Sequence, residues 1–339
     1  MEGVARQGRT VTAEGRRRRI GRRRVGADGQ GGTPWTRGRV LASGSVLVAG
    51  LLVFHAAVPN TVGNLGSLLE TFLPWLGLAV PVLLCLAMLR RSAIAAAAAV
   101  LPAAAWIALF GGLVPSADRG TSHDLTVLQH NVSDENPDPA GTARALTQAG
   151  ADLVALEELT PAALPVYEAA LAADHPYRAV VGTVGLWSRY PLVDARPVDI
   201  RPDGIEGDWS RGLRSTVRAP SGDLAVYVAH LPSVRVRLDG FSSGRRDASA
   251  VALGRAIAAE KLDTVILLGD LNSTLDDRGL APVTSRMIPA EEGFGFSWPA
   301  AFPLARIDHV MARAATPTST WTLPATGSDH LPVAARIRL

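Results

Sequence analysis

Two short polar islands stand beside apolar runs near the C-terminus. Gly269-Asp270-Leu271-Asn272 follows the run Thr264 to Leu268, and Ser328-Asp329-His330 precedes Leu331-Pro332-Val333. An apolar run of that length reads as a buried strand. Polar groups at the mouth of such a strand must pair or do chemistry. Aspartates there can orient or deprotonate a water, and asparagine and histidine can hold phosphoryl oxygens, which suits phosphate hydrolysis. The arrangement recurs. The run Leu125 to His130 ends on Asn131, Asp152 to Leu156 ends on Glu157-Glu158, and Ala225 to Ala229 ends on His230. A sixth run carries Arg306-Ile307-Asp308-His309.

Six islands in this order resemble the endonuclease/exonuclease/phosphatase (DNase I-like) superfamily over about residues 123–339. The resemblance implies roles. Glu158 matches the metal-binding Glu of a Leu-Gln-Glu motif, here Leu156-Glu157-Glu158, so Glu157 replaces the usual Gln and is expected to face solvent. Asn131 matches a residue that holds metal and phosphate. Asp270 matches the residue that orients or deprotonates the attacking water, and Asn272 its phosphate-binding companion. His330 matches the phosphate-contacting or acid/base His, Asp329 its metal-linked neighbour, and Asp308 the carboxylate that orients it. His230 matches the acid that protonates the leaving oxygen. Arg214, ahead of Arg189, is the candidate phosphate clamp, while His309 and Trp298 are expected to pack. Carboxylate and amide oxygens suit Mg2+ or Mn2+, and such a cation answers the charge on phosphate oxygens.

These residues need strands to carry them. Strand-like runs fall at 124–130, 152–156, 179–187, 192–199, 213–219, 223–230, 264–269, 306–312 and 332–338. Helical patterns lie at Pro139–Ala149, Pro161–Ala172 and Arg245–Glu260, the last with one apolar stripe through Ala250, Leu253 and Ile257. Helices alternate with some strands only, which fits two mixed sheets packed face to face with helices outside. The expected fold is a four-layer α/β/β/α sandwich, as the resemblance also implies.

Charge divides the chain. Residues 1–39 hold eleven Arg against three acids, so this stretch reads as a disordered cytoplasmic tail. Residues 40–115 carry only Glu70, Arg90 and Arg91, and three stretches (about 40–58, 68–89 and 93–114) are long enough to be transmembrane helices. The arginines before the first stretch and between the second and third belong inside, which places residues 116–339 outside the cytoplasmic membrane. Glu70, at the outer edge of the second stretch, is expected to be interfacial. Residues 116–339 hold 21 basic and 27 acidic residues, a net charge of −6 that disfavours nucleic acid as partner. Cys85 is the sole cysteine, so no intramolecular disulfide forms.

An anchored site favours a lipid-linked or small phosphorylated substrate at the bilayer. The layout resembles membrane-anchored VanJ-type proteins of teicoplanin resistance, which implies undecaprenyl pyrophosphate hydrolysis. An anchored nuclease or phospholipid phosphodiesterase is the second reading. A non-catalytic binding module is the alternative of another class.

Overall fold

A computed structural model describes residues 38–113, 122–290 and 292–339. The expected disordered tail therefore lies outside the described residues except for its last two. Among the described residues, fourteen strands form two six-stranded sheets and one short pair. The first sheet runs, edge to edge, β13 (Thr316–Thr322), β14 (Val333–Arg338), β1 (Leu125–Asn131), β2 (Leu153–Glu157), β4 (Val184–Ser188) and β3 (Tyr177–Val181). The second runs β11 (Ile288–Pro289), β12 (Asp308–Arg313), β10 (Val265–Asp270), β7 (Gly222–Ala229), β6 (Gly212–Ala219) and β5 (Leu192–Pro197). Only β1–β2 and β10–β7 pair in parallel, so both sheets are mixed. The short pair is β8 (Val236–Arg237) with β9 (Gly240–Phe241).

Alternation along the strands builds the layers. Val127, Leu153 and Leu186 of the first sheet meet Leu213, Val226, Leu268 and Val310 of the second in the central core. The outer face of the first sheet packs on α5 (Pro139–Gln148) and α6 (Leu164–Leu171) through Leu128, Val154, Leu146 and Tyr167. The outer face of the second takes α7 (Gly244–Ala258) and the short α8 (Ala281–Thr284) on Ala225, Leu267 and Met311. Asp138 caps α5 by accepting from the Gly141 N–H at 2.8 Å, and Pro139 occupies the first turn, where no N–H is needed.

Two departures have local causes. The strand expected over 179–187 is the hairpin β3–β4, because Gly182, at φ 57°, lets the chain reverse there. Strand β13 carries Pro317 and is mostly polar, which hid it; it lies at a sheet edge, where a proline is tolerated.

The apolar N-terminal part is α1 (Arg39–Val53), α2 (Leu65–Thr71), α3 (Ala79–Leu89) and α4 (Ala93–Phe110). Among the described residues, the segment Ala93–Leu113 alone is one helix long and apolar enough to cross a membrane. The expected second span is broken: Leu65–Thr71 and Leu73–Leu89 meet at 68°. Pro74, in the 3₁₀ turn after Phe72, offers no N–H to continue α2. The expected first span is a helix of 15 residues.

This bundle packs on the sandwich. Buried Glu70 accepts from the backbone N–H of Arg278 at 3.0 Å and from its guanidinium at 2.7 Å. Trp75 stacks on Phe296 with centroids 5.3 Å apart, and its Nε1 donates to the Leu304 carbonyl at 2.8 Å. An apolar cavity of about 520 Å³ lies between α3, α4 and the Phe294–Phe296 segment. Glu70, expected at an interface with lipid headgroups, instead sits at an interface within the protein.

Candidate active site

The strand ends meet at one end of the sandwich. Asp270 closes β10 opposite Asp308, which opens β12, and Asn131 closes β1 opposite Glu157 on β2. Asn131 Nδ2 donates to Asp270 Oδ2 at 3.1 Å, joining the two sheets. Gly269 permits the close approach of β10 to β7, since a Cβ there would lie 1.9 Å from the Ala229 carbonyl oxygen. Glu158 and Asn272 hold φ of 59° and 47°, a conformation that costs about 1 kcal/mol or more and gathers at functional sites.

Asp270 is fully enclosed by donors. The Asn272 N–H reaches its Oδ1 at 2.9 Å, and Asn272 Nδ2 reaches its Oδ2 at 3.1 Å. Burial pushes its carboxyl up to about 7; His330 opposes this and Asp308 adds to it. A carboxylate of that basicity suits proton abstraction near neutrality.

His330 and Asp308 form a buried pair, with Nδ1 2.9 Å from Oδ2. Ser297 Oγ donates to the same Oδ2 at 2.6 Å, and Gln129 Nε2 donates to Oδ1 at 2.9 Å. Burial works against a charged ring, yet Asp308, Asp270 and Asp329 raise His330 to about 10. Burial likewise works against a charged Asp308, but His330, Ser297 and Gln129 hold it below the usual carboxylate range. The pair is therefore imidazolium and carboxylate. His330 Nε2 lies 3.8 Å from Asp270 Oδ2.

His230 differs. Burial, then Arg211 and His330, lower it to about 3, so the ring is neutral. Arg211 Nη1 donates to its Nδ1 at 3.4 Å, which leaves the proton on Nε2. That Nε2 lies 3.6 Å from both Glu158 Oε1 and Asp270 Oδ2. His230 is thus a neutral hydrogen-bond donor here, where the sequence suggested an acid that protonates the leaving oxygen.

Several expected residues stand elsewhere. Glu157 does not face solvent: it is completely buried, accepts from Gln129 Nε2 at 2.9 Å, and leaves Oε1 without a partner. Arg214 is no phosphate clamp. It points to the outer face of β6 and is held by Glu260 at 2.9 Å, with Asp194 beside it. Arg189 binds Asp152 at 3.2 Å, at the start of β2 and away from the site. Asp329 turns to Trp298 Nε1 at 3.2 Å and acts on His330 only as a nearby charge. Asn272 spends its amide on Asp270 and on the Leu231 carbonyl, so it orients Asp270 and does not grip phosphate. His309 is buried and binds the Ser273 carbonyl at 2.7 Å, the packing role expected. Gln129, Ser297 and Arg211 were missed. Gln129 gave a signal, a polar residue at an inward position of an apolar strand; Ser297 and Arg211 lie in segments without periodicity.

The donor set fits a divalent cation. Glu158, Asn131 and Asp270 offer hard oxygens, and Asp270 is a buried acid in need of positive charge. Ligand atoms of Asp270, Asp308 and His330 also lie within 4.8 Å of one another. His330 Nδ1 is committed to Asp308, and its Nε2 faces Asp270. The oxygen side is where the cation fits.

A family model described as "Endonuclease/Exonuclease/phosphatase family" matches residues 128–330. No curated protein matches the sequence. Among solved structures, TDP2 of D. rerio complexed with single strand DNA product is 17% identical, with 63% of this chain and 99% of that one covered, at TM-score 0.53. A Staphylococcus aureus beta toxin mutant with bound magnesium ions is 16% identical over 63% and 99%, at 0.51. The mannosyl-6-phosphatase of Bacteroides thetaiotaomicron is 16% identical over 63% and 100%, at 0.51. At these identities the likeness is one of fold.

Proposed function

The chain belongs to the endonuclease/exonuclease/phosphatase family, whose members hydrolyse phosphate esters, and from that premise we propose a membrane-anchored, metal-dependent phosphoesterase acting on a lipid-linked phosphate. The convergence of Glu158, Asn131, Asp270 and the His330–Asp308 pair at one end of the sandwich carries this reading. In it, residues 1–39 form a cytoplasmic tail, residues 40–115 supply three membrane passes, and residues 116–339 work outside the cytoplasmic membrane. The exposed apolar surface of α1, α3 and α4 supports the anchor, including Leu47, Val82, Leu89 and Ile107. The apolar cavity beside α3 and α4 offers room for a hydrocarbon chain.

Magnesium or manganese held by Glu158 and Asn131, beside Asp270, would supply positive charge to the phosphoryl oxygens. The chain supplies the rest. Asp270, aligned by Asn131 and Asn272, accepts a proton from the attacking water. The His330 imidazolium, held charged by Asp308, offers Nε2–H to a phosphoryl oxygen. His230 offers its Nε2–H as a neutral donor, with Arg211 fixing the tautomer. Undecaprenyl pyrophosphate is the substrate to test first.

The test is phosphate release by the full-length chain in nanodiscs with magnesium, with undecaprenyl pyrophosphate and plasmid DNA compared. We expect turnover of the lipid, its loss in EDTA, and its loss in Asp270→Ala. Robust DNA cleavage without lipid turnover would make the protein an anchored nuclease. Wild-type turnover by Asp270→Ala would remove the assigned base.

A further inference from the structure

Beside the site lies a second cavity, of about 590 Å³, into which Arg211, Arg235, Arg237 and Arg245 all face. Pro232 and Ser233, which follow His230 in the chain, form part of its wall. Arg211 reaches both places, since it also donates to His230 Nδ1. Arg235, Arg237 and Arg245 are exposed and have no acidic partner among the described residues. The nearest acid on α7, Asp247, is already committed to Arg246 at 2.6 Å and to Ser243 at 3.0 Å.

Four cations around one cavity repel one another unless an anion joins them. Guanidinium forks match phosphate oxygens in pairs, better than an ammonium does. The fifteen-residue helix α7 starts at this wall with Gly244, so its positive end adds to the field. The walls are built, too. The β8–β9 hairpin that carries Arg237 is fastened to the loop between α1 and α2: the Phe241 N–H donates to the Gly63 carbonyl at 2.8 Å, and Asn64 Nδ2 donates to the Phe241 carbonyl at 2.7 Å.

We propose that this cavity is a second phosphate site, which holds a non-reacting phosphate group of the substrate while the P–O bond of the phosphoryl group beside His230 and Asp270 is hydrolysed. The inference rests on the phosphoesterase reading and narrows it to substrates with more than one phosphate.

Calorimetry on the full-length chain in phosphatidylcholine nanodiscs, with EDTA present, tests binding without turnover. Inorganic pyrophosphate is the probe, and Arg235→Gln/Arg245→Gln is the variant. We expect its Kd to rise about tenfold or more. An unchanged Kd overturns the proposal. With magnesium, the ratio of kcat/KM for farnesyl pyrophosphate to that for farnesyl monophosphate should fall about tenfold in the variant; an unchanged ratio overturns it. A third arm uses phosphatidylglycerol vesicles. If the variant loses vesicle binding but keeps its pyrophosphate affinity, the arginines grip the bilayer surface and the proposal falls. If the wild-type chain hydrolyses no ester at all, the phosphoesterase reading fails, and calorimetry still decides the cavity.

Discussion

Asp308 is the residue on which the charge state of the site turns. Its carboxylate holds His330 as a cation in a buried place, where the ring alone would be neutral. Replacing it by Asn keeps the shape and removes the charge. Asp308→Asn should lower kcat by about a hundredfold or more, and circular dichroism should still report a folded chain. Glu157 makes a different prediction. Burial first, then Asp308 and Asp270, keep its carboxyl well above the ordinary 4.5, so it is favoured as the neutral acid. A group raised in this way contributes stability below its ordinary value, and that contribution is lost as pH rises through the folded value. Glu157→Gln carries no such proton. Its stability should therefore gain on wild type as pH increases from about 5 to 8, measured by urea unfolding at each pH. Glu158, Asp270, Asp308 and His330 were legible in the sequence because each ends or adjoins an apolar run. Glu157 was misread because two acids end β2 together, and period alone does not say which one turns inward. Ser297 was invisible, since its partner Asp308 is eleven residues on and reached only through tertiary packing.

Strands explain why so many acids tolerate one another. The register of β10 on β12 sets Asp270 opposite Asp308, and β1 on β2 sets Asn131 opposite Glu157, so four polar side chains share one layer beyond the apolar core. Most elements could be read directly from runs and caps, among them α5 and α7 and eight of the nine expected strands. The hairpin β3–β4 and the edge strand β13 could not, because a glycine turn and a polar, proline-bearing edge look alike in composition. Arg214 on β6 illustrates a limit of reading by residue type: on an outward position it serves the element, not the chemistry. Burial opposes ionisation of Glu260, but Arg214 leads the groups that hold it down to about 2. That contribution to stability is present above the ordinary 4.5 and lost as pH falls through about 2. Arg214→Ala should cost about 3–5 kcal/mol at neutral pH, with kcat changed by about twofold at most. The gap to wild type should close toward pH 2 in acid unfolding.

At the scale of the molecule, the apolar bundle and the sandwich are one packed body and not a domain on a tether. Glu70 is the hinge pin: a buried acid on α2 facing Arg278, which adjoins Asp277, while Asp277 accepts from Arg246 at 2.6 Å and Arg246 donates onward to the Asn272 carbonyl at 3.1 Å. Glu70→Ala should destabilise the full-length chain by about 1–3 kcal/mol, measured as a lowered unfolding midpoint in detergent, because the hydrogen bonds from Arg278 are lost while its guanidinium, 32% exposed, can still reach water. The stack of Trp75 on Phe296 has a practical consequence for anyone who wants this protein in a test tube. A trimmed, secreted version that begins near residue 122 would bare Phe294 and Phe296 to water and orphan Arg278, so it would clump or cling to hydrophobic resin where the whole chain does not.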